Sequence, residues 1–448
     1  MSFQTDLNLF LAKYTNQTDL PDNLTDREEK LVRSCINILN RAIKKRPKHA
    51  KVSITREEKK AAQKRARLSE MQKKKFAEKQ FVVQQDIEDA EVSERTRCYV
   101  CKGKLGDDGT HFFYGSMCVS CGDLNFTMRN KTRDLTGMTA IVTGGRVKIG
   151  YQIALWLLNN NCNVIVTTRF PADALLRFQK EPNYEQFKDR LFLYGLDFRD
   201  LKKVHQFIEY IYENYKEINI LINNAAQTLY RSDAYNSQLQ QDEEAALKMI
   251  QDDPANKMSS EAVSLVQNTS KLNNQLELFQ NNYSVYDVNH APVDFELKNS
   301  WTKQIDEIDF REFAEAQVIN SWVPFIFCSN LKKIMTVPDK KSFVINVSAM
   351  EGKFDYANKT SAHPHTNMAK AAMNMLTRTC GRNFQKSNIY MTSVDTGWCS
   401  EMVPTQMYAL KRTVPLDEFD GAMRVLHPIF DDLDTHSVLL KDYKVTTW

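Results

Sequence analysis

The chain has 448 residues, 42% of them hydrophobic and 26% charged, which allows two or three domains with ordinary soluble cores. No apolar run reaches the length that crosses a bilayer, and the first twenty residues lack a cleavable apolar segment, so a cytoplasmic or nuclear location is expected. The formal net charge of +4 hides an uneven spread, because residues 41–80 hold sixteen Lys and Arg against four Glu.

Residues 1–95 read as a charged helical region. In "TDREEKLVRSCINILNRAIKK" the apolar Leu31, Ile36, Leu39 and Ile43 recur at helical spacing behind a Thr-Asp start. The later "ITREEKKAAQKRARLSEMQKKKFAEKQ" predicts a long polar helix with almost no apolar stripe, one that leans on a partner. The basic run 41–80 is either a solvated face or a contact for a protein or polyanion partner, since each neutralised phosphate releases counterions.

Residues 96–133 form a cysteine module. Cys98 and Cys101 make one C-x2-C pair, and Cys118 and Cys121 make a second after sixteen intervening residues. Each pair sets two thiolates on a tight knuckle at the separation tetrahedral zinc requires. Gly103, Gly106, Gly109 and Gly115 suit the turns of a zinc ribbon or treble clef between them. A redox dithiol would need a single such pair beside a thioredoxin pattern. The expectation is a closed structural zinc site that ties the N-terminal region to the domain that follows.

From residue 134 to 448 the texture changes. "TAIVTGG", "NVIVTTR", "RLFLYGLD", "INILINNAA", "KSFVINVSA" and "IYMTSVDTG" are short β-rich runs separated by helix-like segments. That alternation predicts an α/β fold, a Rossmann-type doubly wound parallel sheet with helices on both faces. An insertion at about 230–310 breaks the rhythm. "QQDEEAALKMIQDD" and "SSEAVSLVQNTSKLNNQLELF" within it predict an inserted helical subdomain.

Thr143, Gly144, Gly145, Arg146, Lys148, Ile149 and Gly150 shape a strand–turn–helix that aims helix N–H groups at a pyrophosphate. The second strand ends in Thr168 and Arg169. An acidic residue there would take the ribose hydroxyls of NAD, whereas Arg169 favours the 2′-phosphate of NADP(H). Asp197 is placed to meet the adenine amino group. "NNAA", with Asn224 and Ala225 at its centre, is placed to pack beneath the cofactor.

The order of glycine turn, basic second-strand end, "LD", "NNAA" and a helix carrying "AKAAMNMLTRT" resembles the short-chain dehydrogenase/reductase family over residues 134–448, apart from the insertion. The resemblance implies hydride transfer at nicotinamide, with a tyrosine handling the proton of the substrate oxygen and a lysine four residues later lowering its pKa. It also implies a serine that steadies the carbonyl and an asparagine on a neighbouring helix. Carried over, the asparagine is Asn320 in "QVINSWVPF" and the lysine is Lys370 in "MAKAAMNM", while Thr366 stands at the tyrosine position. In "INVSAMEG" the catalytic serine position is Ala349, preceded by Ser348.

A threonine hydroxyl is a poor proton donor beside a phenol. Candidate replacements are Tyr356 from a lengthened loop, His363 or His365 in "AHPHT", and Ser348. Lys148 also replaces the middle glycine of the family's T-G-x-x-x-G-x-G turn, where its ammonium can pair with a phosphate. Thr396 and Gly397 in "DTGW" match the turn beside the nicotinamide carboxamide, with Asp395 as a further polar contact, and the segment after them matches the region that closes over substrate. Two functions follow as expectations. One is an NADP(H)-dependent oxidoreductase acting on a small-molecule carbonyl or alcohol through a non-standard proton donor. The other is a catalytically inactive nucleotide-sensing or scaffold protein. Family members often dimerise or tetramerise through two sheet-flanking helices, so a homo-oligomer is one expectation, and the insertion leaves the assembly open.

Overall fold

The computed structural model describes residues 96–105, 109–252, 298–355, 359–400, 402 and 414–448. The expected charged helices of residues 1–95, the basic run 41–80 and the second half of the insertion lie outside the described residues.

Eight strands form one sheet in the order β3-β2-β1-β4-β5-β6-β7-β8. These are β1 Thr139–Thr143, β2 Asn163–Thr168, β3 Leu191–Gly195, β4 Ile220–Asn223, β5 Ser342–Ser348, β6 Ile389–Asp395, β7 Leu439–Lys441 and β8 Lys444–Thr446. Every pairing is parallel except β7 with β8. The central strands are runs of Val, Ile, Leu and Phe because helices cover both faces of the sheet. The order reverses between β1 and β4, which opens a crevice at the strands' C-terminal ends.

Nine helices are used below: α1 Val119–Arg129, α2 Lys148–Asn159, α3 Pro171–Gln179, α4 Leu201–Asn214, α5 Asp233–Asp252, α6 Phe310–Gln317, α7 Val323–Met335, α8 Pro364–Gln385 and α9 Glu418–Phe430. On one face Ile153, Leu157, Phe178 and Leu426 pack against Val142, Val166 and Ile345. On the other, Phe207, Phe327 and Phe384 pack against Ile141, Leu221 and Val344. α4 shows the local logic. Asp200 caps it by accepting from the Lys203 N–H at 3.1 Å, and Val204, Phe207, Ile208 and Ile211 form its buried stripe.

Part of the insertion is the helix α5, which begins seven residues before the "QQDEEAALKMIQDD" segment and lies against α3. Its Ala246 and Ile250 join the main core. The cysteine module docks on α9 through a buried charge network. Arg129 at the end of α1 meets Asp417 and Asp420, each at 2.7 Å, between the rings of Phe113 and Phe419. Tyr114 donates to Asp420 at 2.6 Å, and Arg424 donates to Asn125 Oδ1 at 2.5 Å.

Candidate functional site

The glycine turn lies between β1 and α2 at the crevice. Gly144 has φ +69, and a Cβ there would sit 2.9 Å from the Ala225 backbone, so only glycine fits. Thr143 Oγ1 accepts from the backbone N–H of Asn224 and of Ala225, each at 2.9 Å. The Asn224 amide donates to the carbonyls of Thr143 at 2.9 Å and Gly144 at 3.2 Å. The "NNAA" segment therefore holds the glycine turn in place. Lys148 opens α2 with φ +55, a left-handed backbone that its side chain disfavours and the family's glycine would adopt freely.

At the end of β2 three guanidiniums converge. Arg146 pairs with Asp173 at 2.5 Å, and Arg199 pairs with Asp197 at 2.6 Å. Among the described residues Arg169 has one hydrogen-bond partner, Asn236 Oδ1 at 3.4 Å, and lies over the Phe170 ring that also underlies Arg146. Burial, then repulsion from Arg199 and Arg146 working against Asp197, lowers the Arg169 pKa. A guanidinium held among like charges gains from an anionic partner. Thr168 Oγ1 accepts from the Phe170 N–H and so fixes the bend at the strand end.

The positions carried over for catalysis separate into two groups. Asn320 sits in a π-helical turn, Val318–Trp322, between α6 and α7. It grips Gln227 twice, accepting from its N–H at 2.6 Å and donating to its carbonyl at 3.0 Å. Lys370 on α8 donates to the Val347 carbonyl at 2.7 Å. Burial, partly offset by Glu351 and Asp395, pulls its pKa down to about 8. Beneath it, Asn223, Asn346, Thr377 and Ser393 form a buried hydrogen-bonded ladder that pins α8 to the sheet. Ser348 Oγ, at the end of β5, is buried with no partner among the described residues.

Thr366 and the two histidines are committed elsewhere. Thr366 Oγ1 donates to the His363 carbonyl at 3.0 Å. His363 takes a left-handed backbone before α8 and stacks on Trp301 at 4.1 Å. His365 faces Glu312 on α6 at 3.4 Å, with Glu312 also paired to Lys303 at 2.6 Å. Burial raises the Glu312 pKa, but its bonds to His365, Lys303 and Ser300 outweigh this and hold it at about 2. Tyr356 lies outside the described residues.

On the far side of the crevice, Asp395 accepts from the Gly397 N–H at 2.9 Å and pairs with Lys441 at 2.5 Å. Gly397 has φ +77, and Tyr99 of the cysteine module accepts the next N–H, of Trp398, at 2.8 Å. Ile149 packs against Cys399 and Gly421 there. Tyr99 is a structural partner of this turn that cysteine spacing alone does not reveal.

The ligand sulfurs of Cys98, Cys101, Cys118 and Cys121 all lie within 4.8 Å of one another, and Cys101 and Cys118 are 3.8 Å apart. Tetrahedral thiolates around zinc at about 2.3 Å have edges of about 3.8 Å, so the set fits that ion.

A parallel sheet with this turn and crevice has the doubly wound α/β architecture. The family model described as short chain dehydrogenase matches residues 138–252. Uncharacterized protein R665 of Acanthamoeba polyphaga mimivirus is 32% identical over 363 residues, spanning 78% of this chain and 74% of that protein. A WW domain-containing oxidoreductase of Drosophila melanogaster is 31% identical over 94 residues, 21% of this chain and 23% of its own length. Among solved structures, NADPH-bound carbonyl reductase from chicken fatty liver overlaps 70% of this chain and 100% of its own, at 16% identity and a TM-score of 0.44. A short-chain dehydrogenase from Streptomyces avermitilis overlaps 69% of this chain and 89% of its own, at 14% identity and a TM-score of 0.45. Residues 138–252 therefore carry the sequence pattern of the short-chain dehydrogenase family, on a sheet of the doubly wound type.

Proposed function

We propose that the protein binds NADP(H) and acts as an oxidoreductase on a carbonyl or alcohol, with Lys370 handling the proton that a tyrosine handles elsewhere in the family. Lys370 carries this reading: an ammonium with a pKa near 8, kept beside the end of β5 where Thr366 and Ala349 leave room. The nucleotide, when bound, supplies or accepts the hydride. Arg169 would hold the 2′-phosphate, Gly144 and Gly145 would admit the pyrophosphate, and Thr396 and Gly397 would flank the nicotinamide. During reduction the Lys370 ammonium gives one proton to the substrate oxygen, and solvent restores it. Asn320 acts through Gln227, which it holds by two hydrogen bonds just past the "NNAA" segment.

A second reading is a non-catalytic nucleotide-binding scaffold. It is supported by the Thr366 hydroxyl, which is spent on the His363 carbonyl. The four cysteines are proposed to hold one structural zinc, and the exposed groove of Trp322 and Phe325 between α7 and α8 is proposed to receive a second copy of the chain.

Turnover of NADPH against a panel of aldehydes and ketones separates the two readings. The enzyme reading expects oxidation of NADPH that Lys370→Met abolishes and Thr366→Val leaves within about twofold. Tight NADPH binding without turnover on any member selects the scaffold.

A further inference from the structure

The insertion is foreign to a minimal doubly wound sheet, yet its helix α5 reaches the end of β2. We propose that α5 is a wall of the subsite for the cofactor's 2′-phosphate, with Asn236 as the positioning residue that aims the Arg169 guanidinium. The proposal rests on the NADP(H) reading above.

Three observations on the two helices carry it. Asn236 Oδ1 faces Arg169 at 3.4 Å, while its amide nitrogen is anchored on the carbonyls of Arg231 and Ser232 at 3.2 and 3.1 Å. The amide is thereby oriented with its oxygen toward the guanidinium. Next, Tyr235 and Leu239, one turn apart on α5, bury themselves against Phe170, the ring beneath both Arg146 and Arg169. Finally, α3 has no side-chain cap of its own, and Glu243 of α5 supplies one. Its two carboxylate oxygens accept the N–H groups of Ala172 at 2.7 Å and Asp173 at 2.9 Å.

The consequence is chemical. A neutral amide oxygen holds Arg169 weakly, whereas Asp173 and Asp197 neutralise Arg146 and Arg199. Arg169 therefore has no carboxylate hydrogen-bonded to it and can turn to a phosphate dianion, while its position is set from the insertion. The same guanidinium without Asn236 would swing toward Asp197 and Glu315, the carboxylates that already act on it. Discrimination between NADPH and NADH is then a property of the insertion as well as of the β2 end.

Fluorescence titration of the full chain with NADPH and with NADH, for the unmodified protein, Asn236→Ala and Glu243→Gln, tests this. Asn236→Ala is expected to weaken NADPH about tenfold and to leave NADH within about twofold, because only NADPH carries the 2′-phosphate. Glu243→Gln, which removes one acceptor from the α3 cap, is expected to move the same ratio in the same direction. Unchanged affinities, or parallel loss for both nucleotides in Asn236→Ala, would overturn the role of α5 while leaving NADP(H) binding intact. If the unmodified protein bound neither nucleotide, the nucleotide reading itself would fall, and this inference with it.

Discussion

Lys148 stands at φ +55 on the first residue of α2, where a left-handed backbone costs a residue with a Cβ roughly 1–2 kcal/mol. Glycine would remove that strain but also the ammonium beside the phosphate turn. Lys148→Gly is therefore expected to stabilise the fold by up to about 1 kcal/mol in chemical denaturation while weakening NADPH, so stability and affinity move in opposite directions. Lys370 makes a second residue-level prediction. Its folded pKa of about 8 lies below the ordinary 10.5, so the unfolded chain binds more protons between those values and stability rises with pH across that window. Carbonyl reduction needs the ammonium, so its rate is expected to fall as pH rises through about 8. A reduction rate flat from pH 7 to 10 would remove Lys370 from the proton path. Thr366 was legible as a lost phenol in "AHPHTNMAK", but its bond to His363 was not, because it follows from a left-handed residue that no periodicity announces.

At the scale of elements, α1 and α9 are joined by a guanidinium that is almost wholly buried between two carboxylates and two aromatic rings. Replacing Arg129 with Leu leaves Asp417 and Asp420 buried without their counter-charge. The expected loss is about 3–5 kcal/mol, read from the denaturation midpoint, with much less for a surface arginine such as Arg311. This junction was not readable from the chain, since Arg129 and Asp420 are 291 residues apart. The strands were readable. Apolar runs such as "TAIVTGG" and "KSFVINVSA" became β1 and β5 because both faces of a central parallel strand must be buried. The short β7–β8 hairpin escaped notice, its three-residue strands being too brief for a period-two signal. The π-turn that aims Asn320 was equally silent, because an extra residue in a helix has no compositional mark.

At the scale of the molecule, a sheet domain with a crevice where its strand order reverses carries two additions, and each touches the strand ends there. The insertion meets the β2 end through α5, and the cysteine module meets the β6 end through Tyr99. Zinc removal is expected to reach beyond the knuckles as a result. Elemental analysis should find about one zinc per chain, and chelation should lower the thermal midpoint and weaken NADPH together. Full retention of both after metal loss would show that the module is merely attached. Among the described residues no helix is long and apolar enough to cross a membrane. The cofactor half of the site is proposed to be kept and tuned to a 2′-phosphate. Calorimetric titration of the full chain with NADPH and NADH tests it most directly. The account predicts one nucleotide per chain, with NADPH at least tenfold tighter; equal affinities, or a preference for NADH, would contradict it.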